Sequence, residues 1–496
     1  MKKIILALAV LVLCLAPVNA KKKEKKVEVD SLGNKIKTGW NFGILPSIAY
    51  DADYGFQGGV LTNVYYYGDG SQYPEYIHSL YLEAAYTTKH HGIFRFNYDS
   101  KYLIPHHRLT LDATYLPDAM CDFYGFNGYQ SLYNYDWHNW SKKPEKMSVA
   151  DYRSRVFYKY KRDLIRVAGD IEGNIISHLK WNAGLGVLGY IVNDCDIDML
   201  NGKNTYDPTA AHQKALNPNE ELLYEKYKNW GLVGVDEAKG GWHPYVRGGL
   251  TFDSRDKRMG PNRGIYTDLF LTYSAAFNAG YGNQASAGYN HLQLNFTFRH
   301  YVPVYKDRIT FVYRVGTQNL IAGKSPFYMN NYLNTLFIQR VLYEGLGGGN
   351  SIRGMMANRI LADGFAYANV EFRFRVVNFD IGRQHFFFGL NPFFDLGIVT
   401  QPLKLDELVE LHTGGLYHSL KESMTANGEV MSDYFQIDQN GNLDNSGIYR
   451  PHMTAGLGLK IGMNENFVLS CDWAMPFDKQ DNAKWANFYV KMGYLF

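Results

Sequence analysis

Arg353 stands in a distinctive setting. It follows Gly345-Leu346-Gly347-Gly348-Gly349-Asn350 and lies within Ser351-Ile352-Arg353-Gly354. Glycines let such a loop turn tightly and approach a neighbouring wall. Taken alone, the arginine reads as a loop cation paired with solvent. Other groups that could do chemistry are sparse. Asp194, Asp196 and Asp198, and likewise Asp438, Asn440 and Asp444, offer oxygens to a hard cation such as calcium. Their spacings do not fit an EF-hand, and solvated loops account for them better. His90-His91 and His106-His107 suit turns. There is no G-x-S-x-G elbow, H-E-x-x-H pair or phosphate loop. The chain is therefore expected to be no enzyme and to carry no metal and no cofactor.

The elements that must position Arg353 are strands. Val370, Phe372, Phe374 and Val376 alternate with Glu371, Arg373 and Arg375. Leu292, Leu294, Phe296 and Phe298 alternate with Gln293, Asn295, Thr297 and Arg299, and Ile309, Phe311, Tyr313 and Val315 share a face. Period-2 alternation marks β-strands. Candidates fall at 41–50, 55–67, 78–88, 92–101, 107–116, 151–162, 166–177, 180–192, 242–254, 264–275, 287–301, 308–318, 366–378, 385–400, 450–461, 466–475 and 485–496. A barrel with both ends on one side needs an even count. The expectation is therefore sixteen, with 166–177 joining a neighbour or forming a turn. The long connections 117–150, 193–241, 319–365 and 401–449 then share one end, and short turns such as 302–307 and 379–384 share the other. That asymmetry is usual in outer-membrane barrels. The fold class is thus an all-β, 16-stranded antiparallel transmembrane barrel with long extracellular loops.

Compartment and composition agree. Lys2 and Lys3, the apolar run Ile4 to Leu15 and the small residues ending at Val18-Asn19-Ala20 read as a signal peptide, residues 1–20. Cys14 raises a lipoprotein alternative, but Leu13 is bulky where such signals want a small residue. Residues 21–40 form a short periplasmic tail, and 41–496 the barrel. No later stretch is apolar enough for a membrane helix. Barrel strands need only about 10 residues, so the mean hydropathy of -0.30 is no objection. Aromatic residues make up 16% of the chain, as interfacial girdles require. A net charge of +3 gives no sign of a nucleic-acid partner, and Lys21 to Lys26 reads as a solvated tail. The expected surroundings are outer-membrane lipid. Among Cys121, Cys195 and Cys471, one bond, between Cys121 and Cys195, is a candidate.

Ser351-Ile352-Arg353-Gly354, followed by the strand with Asn369, Glu371 and Arg373, resembles the sixth-loop motif of the BamA/TamA family of outer-membrane proteins. Gly249-Leu250-Thr251-Phe252-Asp253-Ser254-Arg255-Asp256 with Pro261-Asn262-Arg263-Gly264 is similar to the family's mid-barrel strand-turn-strand signature. Phe488, Val490, Met492, Tyr494 and Phe496 are expected to alternate outward, and Phe496 resembles the C-terminal outer-membrane signal. The resemblance covers roughly residues 41–496. It implies that the loop folds back into the barrel and that Arg353, flanked by Ile352 and Gly354, pairs with lumenal acids. Asp395 and Glu371 are the candidates. It also implies a weak seam that opens sideways to admit client strands. Pro46 in the first strand and Gly493 in the last both weaken pairing there.

BamA and TamA carry periplasmic POTRA domains, for which about 20 residues before the first strand leave no room. The leading expectation is a barrel that assists insertion or assembly of other outer-membrane components, with outer-membrane or periplasmic assembly proteins as possible partners. The alternatives are a passive or loop-gated channel and a structural subunit of an outer-membrane complex.

Overall fold

The computed structural model describes residues 36–496 except 53, 74, 136, 138–152, 208–214, 258–259, 276–288, 307, 331–344, 382–383, 464–466 and 483–485. The expected signal peptide and most of the expected tail lie outside the described residues.

Sixteen antiparallel strands close into a barrel. The first, β1, comes in two pieces, Trp40–Pro46 and Ala49–Asp51, both paired with β2 (Gly55–Tyr66). Then follow β3 (His78–Thr87), β4 (Gly92–Ile104), β5 (His107–Leu116), β6 (Lys159–Ile176), β7 (Leu179–Asn193) and β8 (Gly240–Asp253). The second half comprises β9 (Gly264–Ser274), β10 (His291–Tyr305), β11 (Ile309–Gly323), β12 (Gly364–Ile381), β13 (Gln384–Gln401), β14 (His452–Met463), β15 (Phe467–Pro476) and β16 (Asn487–Met492). Each strand pairs with its neighbours in sequence.

Two expected strands, 151–162 and 166–177, are one: β6 runs unbroken from Lys159. Residues 155–158 form turns instead. The charged run Lys161-Arg162-Asp163 does not interrupt the strand, and Arg162 and Asp163 are both buried. The count of sixteen stands.

The alternation sorts side chains as lipid demands. On β9, Leu269, Leu271 and Tyr273 are 45%, 44% and 47% exposed, while Asp268, Phe270, Thr272 and Ser274 are buried. On β12, Phe372 faces out while Asn369, Glu371 and Arg373 face in. An apolar outer surface around a polar lumen is the transmembrane-barrel arrangement.

The loops after β5, β7, β11 and β13 build a cap over one end. Their aromatic residues share one core: Phe123 lies 5.0 Å from Tyr227, Phe126 5.2 Å from Tyr227, and Trp230 4.9 Å from Tyr434. These loops leave the barrel at points spaced around its rim, so they meet above the lumen. Cys121 and Cys195 are buried free thiols, not a disulfide; Cys195 Sγ instead donates to the Ala119 carbonyl at 3.4 Å.

Leu269→Arg places a charge midway along β9 on the outer face. It should destabilise the barrel by about 2–4 kcal/mol in reversible unfolding from phospholipid vesicles. A loss below about 1 kcal/mol would mean that this face does not meet lipid.

Candidate functional site: the inserted sixth loop and the barrel seam

The loop between β11 and β12 returns into the barrel because its glycines take conformations that other residues avoid. Gly347 has φ +118°, and a Cβ there would sit 1.9 Å from the Met356 carbonyl. Ser351 locks the turn: its Oγ accepts from Gly347 N at 2.9 Å and donates to the Gly347 carbonyl at 2.8 Å. Ile352 packs with Leu346 and Ile360, and Gly397 on β13 makes room for it.

Arg353 is wholly buried. Its backbone N–H and Nε both donate to Asp395 Oδ2, at 3.1 and 2.8 Å, and Nη2 donates to Asp395 Oδ1 at 2.9 Å. Nη1 donates to Glu371 Oε1 at 2.7 Å. The register explains this grip. Asn369 pairs with Asp395 and Glu371 with Phe393, so both acids face the lumen from adjacent strands. The guanidinium lies 3.4 Å above the Phe393 ring, and its planar fork matches a carboxylate edge.

The network extends beyond the acids expected from the sequence. Arg373 Nε donates to Glu371 Oε2 at 3.0 Å. Asp472 on β15 lies 3.8 Å from Arg353 Nη1 and accepts from Lys460 Nζ at 2.6 Å. Three cations, Arg353, Arg373 and Lys460, thus face three carboxylates, Glu371, Asp395 and Asp472, all buried. Asp472 and Lys460 were readable as lone charges on the inward phase of apolar strands. The loop also holds the last strand: Tyr489 Oη accepts from Gly354 N at 3.1 Å.

Arg359, six residues beyond Arg353, was missed. It is buried and donates to the carbonyls of Gln480, Gly128 and Ser131 at 2.8, 2.8 and 2.9 Å. One loop therefore grips the lumen wall through Arg353 and ties two other loops together through Arg359. No local pattern announces that role.

The expected seam residues lie where β1 meets β16. Pro46 pairs with Val60 and ends the first piece of β1. Among the described residues, the only register position between β1 and β16 is Tyr50–Val490, whereas every other neighbouring pair of strands shares at least six. Phe488 and Met492 face outward as expected, but Phe496 does not. Gly493 has φ +89°, a left-handed turn that ends β16 and sends Tyr494, Leu495 and Phe496 into the lumen. Phe496 packs with Tyr301, Val312 and Leu495, and its carbonyl accepts from Arg373 Nη2 at 2.8 Å.

In the cap, Glu237 is the buried titratable latch between loops. It accepts from Phe327 N at 2.8 Å and from Gly234 N at 3.4 Å. Burial pushes its carboxyl up to about 7, against these donors and Lys324.

These features define a transmembrane barrel whose lumen is braced by an inserted loop and whose first and last strands barely pair. Residues 200–496, more than half of the chain, match the Omp85 superfamily domain, and the chain belongs to that superfamily. Its members' barrels are outer-membrane proteins. Among solved structures, BamA from Haemophilus ducreyi lacking POTRA domains 1-3 aligns at 14% identity and TM-score 0.49, over 92% of this chain and 70% of that one. CdiB from Escherichia coli aligns at 10% identity and TM-score 0.47, over 90% of this chain and 62% of that one. No curated protein matches the chain by sequence.

Removing one partner of a buried pair strands the other charge, at about 3–5 kcal/mol. Arg353→Ala should therefore destabilise the barrel by that much and expose residues 345–362 to protease. Arg353→Lys should rescue less than half, because an ammonium cannot hold Asp395 with two parallel bonds. Full rescue by lysine would show that charge alone suffices.

Because the closed cap raises the Glu237 pKa, it binds that proton more tightly than an opened cap. Its contribution to closure is complete below the ordinary value of 4.5 and is lost as pH rises to about 7. Protection of the Phe327 amide, corrected for intrinsic exchange, should fall by roughly two orders of magnitude between pH 4.5 and 7.5. A flat profile would place Glu237 in water.

Proposed function

We propose that this protein resides in the bacterial outer membrane, with its short turns in the periplasm. We further propose that it assists the insertion or assembly of other outer-membrane proteins by opening the seam between β1 and β16. The observation that carries the reading is the single register position at Tyr50–Val490. Trp40–Pro46 pairs only with β2 among the described strands. Its other edge offers backbone N–H and C=O groups that an incoming strand can satisfy, and an open edge templates such pairing. The inserted loop holds the rest of the barrel in shape while the seam moves, because Arg353 braces β12, β13 and β15 but makes no bond to β1. The channel alternative is disfavoured by the aromatic cap that the described loops pack over the lumen.

The test is a disulfide between Tyr50→Cys and Val490→Cys, built in a Cys471→Ser background because Cys471 faces Val490 across β15 and β16. Oxidation should lower the levels of several unrelated outer-membrane barrels at least threefold in quantitative proteomics, and reduction should restore them. An unchanged envelope with the bond formed would overturn the seam mechanism.

A further inference from the structure

Behind the seam lies a cavity of about 600 Å³, within the size range of small-ligand sites. We propose that it binds one anionic amphiphile, with a phosphate held by Arg255 and Arg299 and an acyl chain lying between the seam strands.

Three features converge. The first is an apolar pair on the inner side of the two strands nearest the seam. Leu45 on β1 and Leu61 on β2 face each other in register, and both line the cavity. They take the inward phase: Val60 is 48% exposed on the outer face, and the next inward positions are polar, Asn63 on β2 and Ser47 past Pro46. Leucines facing water in a lumen gain nothing; covered by a hydrocarbon chain, each takes apolar area out of water.

The second is the charge of the lining. Arg95, Arg255, Arg299 and Lys491 line the cavity beside Asp51 and Glu83, four cations to two acids, with Arg95 and Arg255 each also paired to an acid outside the lining, Asp112 and Asp253. Arg255 and Arg299 share one platform, lying 4.5 and 5.1 Å from the Tyr266 ring centre. Arg255 is further fixed by Asp253, with Nε–Oδ1 2.8 Å and Nη2–Oδ2 2.9 Å. Two pre-positioned guanidiniums suit the oxygens of a phosphate, Arg255 through Nη1 because Asp253 takes its Nε–Nη2 fork.

The third is access. Tyr50 and Val490, the one register pair of the seam, line the cavity from both edges. Where that pairing stops, no described ladder between β1 and β16 separates the cavity from the outer face of the seam. Arg255 lies in the β8–β9 turn and Arg299 near the end of β10 that carries short turns, so the headgroup site sits at the periplasmic end. A chain entering from the inner leaflet leads with its tail past β1 and leaves its headgroup at the arginines.

Lipid occupancy is read on purified protein and does not depend on the assembly reading. Delipidated protein is titrated with dioleoyl phosphatidylglycerol, with dioleoyl phosphatidylcholine and with inorganic phosphate, and bound species are counted by native mass spectrometry. One phosphatidylglycerol is expected per barrel, with phosphatidylcholine at least tenfold weaker. Arg299→Gln and Leu61→Gln should each weaken retention at least tenfold. Leu45→Gln serves in place of any variant that loses the heat-modifiable migration of a folded barrel. Equal retention of the two lipids would identify ordinary annular lipid and overturn the proposal. So would retention indifferent to the variants. Inorganic phosphate displacing the lipid with no effect of Leu61→Gln or Leu45→Gln would leave a phosphate site and refute the amphiphile.

Discussion

A guanidinium sealed from water must be surrounded by groups that replace it, and the burial of Arg353 organises the barrel around that need. Taking a charge out of water costs several kcal/mol unless carboxylates and hydrogen bonds compensate. Asp395 and Glu371 supply both, but only from adjacent strands in the register the barrel adopts. A shift of one residue would turn both acids toward lipid. The ion pair therefore reports the register of β12 and β13, and the loop cannot dock until those strands are correctly paired. Ser351, the glycine turns and Phe393 serve the same end: they bring one arginine to one place with little freedom left to lose.

The seam follows a different rule. Elsewhere each strand is laddered to a neighbour on both sides, as a bilayer requires. Where β1 meets β16 only Tyr50–Val490 pairs, and Gly493 turns the chain inward rather than continuing the ladder. The residues that leave the wall are not stranded. Phe496 packs on Tyr301 and Val312, Arg373 lies 4.2 Å from the Tyr494 ring, and Arg373 also belongs to the Arg353 network. Beyond its ladder with β15, the short last strand is held by the inserted loop at Tyr489 and the arginine wall at Phe496, while its edge toward β1 is lightly bound.

Much of this was legible because alternation is a local signal. Phe372 beside Glu371 declares two faces without knowledge of the fold, and the strand count and loop asymmetry follow from such pairs. The glycine run before Arg353 marked the loop in the same way. What escaped depends on contacts between distant residues. Asn127 bonds the Leu403 carbonyl and Tyr129 bonds Asp481, across hundreds of residues and without periodicity. Arg359 belongs to this class: its partners are three carbonyls, which leave no trace in side-chain chemistry. The inward turn of Phe496 escaped for another reason. The alternation through Tyr494 and Phe496 continues unchanged, and one positive φ at Gly493 overrides it.

Cap, brace and seam divide the barrel into a firm part and a loose one. The loop between β11 and β12 grips β12, β13 and β15 through Arg353 and the neighbouring loops through Arg359, so the wall on the β16 side of the seam and the cap resist motion together. A barrel with a uniformly strong ladder cannot open without breaking many hydrogen bonds in lipid, where each lost bond goes unreplaced. Concentrating the weakness at one junction, and turning the freed end of β16 into the lumen where polar groups meet it, would let that junction part, as the proposed function requires, while the other strand pairs keep their register. The buried charges that brace the rest of the wall are therefore what make a lightly paired seam tolerable in this fold.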